Sequence, residues 1–203
     1  MRPVVCAAVF LACPAGVLLA EEVPPVTLHA PPAYAHLPGD EGWALAPSAT
    51  ADTAAATRSL GPTQLLTAML RVIPVTDPQA VVTHRKRPRE HLAEVLYGMG
   101  DTLNAALGVP ASGEPLIDAS PWDYAGMWCL YYNALSSGAP DDAHAGSSRD
   151  MSVAGALCAR IDPPAVIDMR IMDVRRMAND HYANLAMDAA DFFETLWFDP
   201  PTH

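Results

Sequence analysis

From Ala165 to Phe198 the chain contains neither glycine nor proline. Within that run Ile167, Ile171, Val174, Ala178, Tyr182, Leu185, Ala189, Phe192 and Leu196 recur at steps of three and four. At 100° per residue they fall within about an 80° arc, the apolar stripe of an amphipathic helix. At 1.5 Å per residue such a helix is about 50 Å long. A compact body of this chain's size is only about 40 Å across. The expectation is a long C-terminal helix that overhangs its own domain. Its apolar strip then needs a partner to cover it, with Phe193 and Trp197 among the residues presented.

Helical signals also occur upstream. Pro62 suits a first helical turn, Leu66, Met69, Leu70 and Ile73 follow at helical spacing, and Pro74 ends the run. A second helix is expected from Pro88 to Leu107, with Leu92, Leu96, Met99 and Leu103 on one side. "SPWD" places Ser120 as a cap, Pro121 in the first turn and Asp123 at the capping-box position of a third helix. That helix runs to Gly138 and carries Trp122, Tyr124, Trp128, Tyr131 and Tyr132, read as core. A short helix over Met151–Arg160 follows, and Asp162 caps the long final one. The fold class read from these patterns is all-α: four to five helices over residues 60–203.

The two ends of the chain read differently. Residues 1–20 have a positive start at Arg2, an uncharged apolar stretch, and Ala20 before Glu21 and Glu22. That is the layout of a secretory signal peptide. Residues 21–59 are rich in Pro and Ala without sustained period, and read as an extended arm. Export places the chain in the periplasm or outside the cell, with membrane association as an alternative. It also leaves Cys129 and Cys158 where disulfides persist, so a bridge between them is expected.

The charge balance is acidic, 12 Lys and Arg against 23 Asp and Glu, for a net −11. Nucleic acid is therefore not an expected partner. Against that background Arg85, Lys86, Arg87 and Arg89 stand out. Pro88 opens a helix there, and cations at a helix N-terminus are mildly unfavourable. The cluster therefore reads either as a solvated turn or as a docking patch for an anionic partner. Together with Phe193 and Trp197, these four residues are the candidate partner-binding set.

The opposite face of the final helix carries Asp173, Asp180, Asn184, Asp188 and Asp191, with His181 at its edge, and His181, Asn184, Asp188 and Asp191 follow one another at ligand-like spacing. With no Glu-x-x-His or His-x-x-x-His to complete a site, no metal and no cofactor are expected. Gly-x-Ser-x-Gly, His-Glu-x-x-His and Cys-x-x-Cys are also missing from the sequence. His84, His91, His144 and Asp123 are the groups to test for a catalytic constellation assembled from distant residues. The leading expectation is a non-enzymatic exported binding protein, an accessory subunit of an envelope or multi-protein assembly, or a homo-oligomer. A helical bundle binding a small ligand or metal ion is the alternative, and a hydrolase the third.

Overall fold

The structure, a computed structural model, describes residues 25–39, 42–47, 50–107, 116–124, 126–140, 148–176, 182 and 184–199. Residues 1–20, where the sequence leads one to expect a signal peptide, lie outside them. Strands dominate. In chain order the elements are β1 (Thr27–Ala30), β2 (Ala33–His36), β3 (Trp43–Ala46), β4 (Thr53–Gly61), β5 (Gln64–Pro74), α1 (Pro78–Lys86), α2 (Pro88–Leu107), β6 (Leu116–Tyr124), β7 (Met127–Pro140), β8 (Ser148–Arg160), β9 (Ala165–Arg175), α3 (Leu185–Glu194) and β10 (Trp197–Phe198). The seven-stranded antiparallel sheet has the order β3-β4-β5-β9-β8-β7-β6, and the three-stranded sheet the order β1-β2-β10.

The all-α expectation is therefore wrong. Helices α1, α2 and α3 are the only ones among the described residues. The second expected helix is present as α2, over the same residues. The first expected helix is β5. Its even residues Leu66, Ala68, Leu70 and Val72 line one core, while Ile73 packs into another on the opposite face. The third expected helix is the β6–β7 hairpin. Tyr124 pairs with Met127 across a two-residue turn, and Gly126 supplies the positive φ of 78° that such a turn demands. Pro121 lies on β6, the edge of the sheet, where a missing N–H breaks no ladder. The short helix expected over Met151–Arg160 is part of β8.

The long C-terminal helix does not form. Ala165–Arg175 is strand β9, paired with β5 on one side and β8 on the other. Among the described residues of that run, Leu185–Glu194 alone is helical. The residues of the expected stripe are covered by this chain itself. Ile167, Ile171, Ala189, Phe192 and Leu196 are buried in one core, Tyr182 and Leu185 pack against it, and Val174 packs into the other. Ala178 lies outside the described residues. No overhanging strip remains to call for a partner.

Two cores sandwich the large sheet. On one face, Leu92 and Leu96 of α2 meet Tyr132, Met151, Val153, Leu157 and Val166. On the other, Leu28, Ala30, Ala33 and Ala35 of the small sheet, with Phe192 and Phe193 of α3, meet Leu66, Ala68, Ala156 and Ile167. The expected Pro/Ala-rich arm therefore contains four strands. Its Leu28, Ala30, Ala33, Ala35 and Leu37 face the core, and its proline pair Pro31-Pro32 occupies the β1–β2 turn.

Close approach in the middle of the sheet depends on Gly155. A Cβ built there would lie 2.2 Å from Tyr132 Cζ, because the tyrosine ring lies flat over the strand. The ring's hydroxyl then donates to Asp168 Oδ1 at 3.1 Å, and Arg170 pairs with the other carboxylate oxygen at 2.8 Å. Cys129 and Cys158 face each other across β7 and β8, with sulfurs 2.03 Å apart.

Two stability measurements check this account. Gly155→Ala should lower the unfolding free energy in urea by roughly 1–3 kcal/mol, since neither the backbone nor the buried ring can yield freely. Replacing Cys129 and Cys158 together by alanine opens a link spanning 29 positions. That change should lower the same quantity by about 3 kcal/mol.

Candidate binding surface

The small sheet turns Leu28, Ala30, Ala33 and Ala35 inward, so period-2 alternation turns Thr27, His29, Tyr34 and His36 outward. The register places His29 opposite Tyr34, and Tyr34 opposite Trp197. Their rings stack in a row. His29 and Tyr34 have centroids 4.0 Å apart and planes 4° from parallel. Tyr34 and Trp197 follow at 5.4 Å and 10°. His36 tilts against the indole at 4.5 Å. The row remains open to solvent: Trp197 is 38 % exposed.

Hydrogen bonds pin this ladder. Tyr34 donates to Asp199 Oδ2 at 3.1 Å, and that bond, with the nearby charge, holds the phenol above its ordinary value. Thr27 Oγ1 lies 2.9 Å from His36 Nδ1. The His36 N–H donates to Thr195 Oγ1 at 2.8 Å, tying the approach to β10 onto β2.

Beside the ladder the upper layer runs out. β1 packs over β4 and β5 and is an edge of its own sheet, whereas the large sheet continues to β3. The step between them is a groove of about 320 Å3 lined by Thr27, His29, Leu45, Ala46, Thr53 and Ala54, among others. Leu45 has the same parity as Trp43, which is buried in the core beneath the small sheet. Leu45 is nevertheless 64 % exposed, because the cover stops short of it.

The basic cluster has internal work. Arg85 and Lys86 are exposed, in the last turn of α1. They sit at the negative end of that helix, where cations stabilise it. Arg87 pairs with Glu90 at 2.8 Å, and both side chains are more than half exposed, so the pair contributes little. The Arg89 guanidinium lies 4.1 Å over the ring of Trp128. Phe193 is fully buried against Tyr131 and Phe192, inside the protein's own core, and offers a partner nothing. Of the expected partner-binding aromatics, only Trp197 is at the surface.

His84 and His91, named from sequence as candidates for chemistry, do meet. Both are buried, and their Nδ1 atoms are 3.0 Å apart. His84 Nε2 lies 2.7 Å from the Arg160 carbonyl oxygen. A carbonyl only accepts, so Nε2 carries the His84 proton. His84 Nδ1 is then the acceptor and His91 Nδ1 the donor. The pair fastens the α1–α2 turn to the end of β8. Desolvation, and then the charge of His84, push the His91 pKa below its ordinary value, against an opposing pull from Glu94. His144 lies outside the described residues, and nothing is described of the Asp123 side chain.

The acidic face expected on the last helix is dispersed. Asp173 is buried, close to Arg175 and bonded to Gln64 Nε2 at 2.9 Å. Asp188 accepts from the Tyr182 hydroxyl, and burial with that bond pushes the Tyr182 phenol up to about 12. Asn184 stands at the N-cap position of α3 without a side-chain capping bond, Asp191 is exposed on the helix, and Asp180 and His181 lie outside the described residues. Among the described residues, no three His, Cys, Asp or Glu side chains converge as a metal would require. No helix among them is long and apolar enough to cross a membrane.

The sequence carries a signal for the ladder in "LHAPPAYAH". Small apolar residues alternate with His29, Tyr34 and His36 on either side of a Pro-Pro turn. Read for hairpins, that stretch is two strands with an aromatic outer face. Comparison with protein-family models returns no match, and neither does comparison with curated protein sequences.

The histidine pair makes stability depend on pH. Above about pH 6.5, the ordinary histidine value, neither folded nor unfolded chain binds the proton and the pair costs nothing. As pH falls from there through the depressed folded-state value of His91, the unfolded chain binds a proton that the folded chain resists, and stability is lost. His91→Gln should remove that component. Melting temperatures from about pH 7.5 down to about pH 5 should converge for variant and parent at the acid end, relative to their neutral difference.

Proposed function

We propose that this chain is an exported, non-enzymatic binding protein that engages a protein partner through the flank of its small sheet. The observation that carries the reading is the solvent-open ladder of His29, Tyr34 and Trp197 beside the uncovered Leu45. Aromatic side chains of this kind supply large contact area at low entropic cost, and they are enriched at protein interfaces. Their rings are held in place by stacking, and that of Tyr34 also by its hydrogen bond to Asp199, so little ordering remains to oppose binding.

Export is supported by the layout of residues 1–20 and by the paired cysteines in the middle of the fold. The role of accessory subunit in an envelope assembly fits a surface specialised for contact. The anionic-surface reading of the basic cluster is narrowed to Arg85 and Lys86, since Arg87 and Arg89 engage Glu90 and Trp128.

Site-specific photo-cross-linking in the native host tests the reading. A photoreactive residue at Trp197 should capture a discrete protein product. The same group at Tyr97, which is 89 % exposed on α2, should not. Equal capture from both positions, or none from Trp197, removes the small sheet from the function.

A further inference from the structure

We infer that the outer edge of β1, which no strand among the described residues pairs, accepts an extended peptide as an added strand, which completes the small sheet over β3 and β4. This inference rests on the binding reading above and names the partner's chemistry.

The backbone is arranged for it. Leu37 N donates to Val26 O at 2.8 Å, which makes that facing pair a hydrogen-bonded one. Antiparallel ladders alternate, so Leu28 and Ala30 also bond toward β2. The N–H and C=O groups of Thr27 and His29 then point the other way, into the groove. An edge of this kind is a template for another strand.

The floor is arranged for it too. Strands in a sheet are spaced by about 4.8 Å, so an added strand would lie directly above β3 and β4. Its inward side chains would cover Leu45 and Ala54, giving Leu45 the burial its face receives elsewhere. The floor is shallow and made of alanine, threonine and one leucine, which suits inward residues of alanine to valine size. Its outward side chain opposite His29 would meet the ring face that Tyr34 does not cover. A ring there extends the stack from three members to four.

The occupant is a peptide segment and not a second copy paired through its own β1. β3 and β4 project beyond β1 on the large sheet. A second copy offering its β1 edge would bring its own β3 and β4 into the same space. The step has room for a single strand. The ligand class is therefore an extended protein segment with small apolar residues alternating with polar ones, and an aromatic residue at the outward position facing His29.

The probe is a fluorescein-labelled peptide of alternating valine and threonine with one central tyrosine, flanked by lysines, titrated against the full chain and followed by anisotropy. It should bind. N-methylation of the alternate amides that would face β1 should weaken it by about tenfold or more, the loss of two or three backbone hydrogen bonds. Leu45→Asp should do the same, and since Leu45 is mostly exposed the change leaves the fold intact. Thr27→Pro removes a donor that faces the groove and serves as the second variant. No binding, or binding indifferent to N-methylation and to both variants, overturns the inference. A dimer of the chain alone that Leu45→Asp dissociates overturns it in favour of a second copy. A partner cross-linked from Trp197 whose capture survives Leu45→Asp and Thr27→Pro leaves the binding reading standing and removes strand addition alone.

Discussion

Two strands at the centre of the large sheet have no wet face. Residues 153–159 of β8 and 165–169 of β9 are buried without interruption, on both sides of the pleat. An antiparallel sheet commonly keeps one face in water. This one cannot, so it needs two covers. The helical hairpin α1–α2 is one, and the small sheet with α3 is the other. Small residues make both covers possible: Ala154, Ala156 and Cys158 on one side, and Gly155 and Ala159 on the other. The polar groups caught between the layers are held by specific partners. Desolvation raises the pKa of Asp168, while Arg170 and the Tyr132 hydroxyl favour its charged form. A carboxylate at that depth without such partners would be costly.

The same double burial explains why strands read as helices. A strand with one wet face alternates apolar and polar residues and announces its period. β9 is buried on both faces over most of its length and shows no simple wet–dry alternation, so Ile167, Ile171 and Val174 fit a helical template although they divide between two cores. Periodicity alone cannot separate a doubly buried strand from a buried helix. α2 was legible because charged residues such as Glu90 and Glu94 mark its outer face and Leu92 and Leu96 its inner one. α3 was legible as helix, but the polar stretch before it is where the chain changes element. The arm was misjudged because its prolines were read as breakers throughout. Pro31 and Pro32 lie in the turn between β1 and β2.

The candidate surface inherits this history. Trp197 was named from sequence, although as part of a helix that does not form. His29, Tyr34 and His36 fall inside the segment expected to be an extended arm, where no strand register relates them. Phe193, expected on the strip that the long helix presents, is buried in the core instead. His84 and His91 lie seven positions apart on consecutive helices. Only the sharp turn at Arg87 and Pro88 brings them face to face. What composition could not show was the mismatch in width between a three-stranded cover and a seven-stranded base. That mismatch leaves Leu45 bare and gives the surface its step.

The basic turn shows how a chain-wide count can mislead about a local cause. Four of the twelve basic residues fall within five positions, which in an acidic protein looks like a signal for a partner. The sequence puts Arg87 and Arg89 near the N-terminus of the helix that Pro88 opens, where cations are unwelcome. Two helices meet there. Arg85 and Lys86 belong to the end of α1, where the dipole favours them. Arg87 and Arg89 flank the start of α2, where it does not. Glu90 offsets one of them, and the ring of Trp128 receives the other. The buried histidine pair draws the two helix ends together without adding charge, provided both rings stay neutral. The cluster is thus largely the electrostatics of a helix–helix corner, and what it leaves for solvent or a partner is the pair of cations on α1.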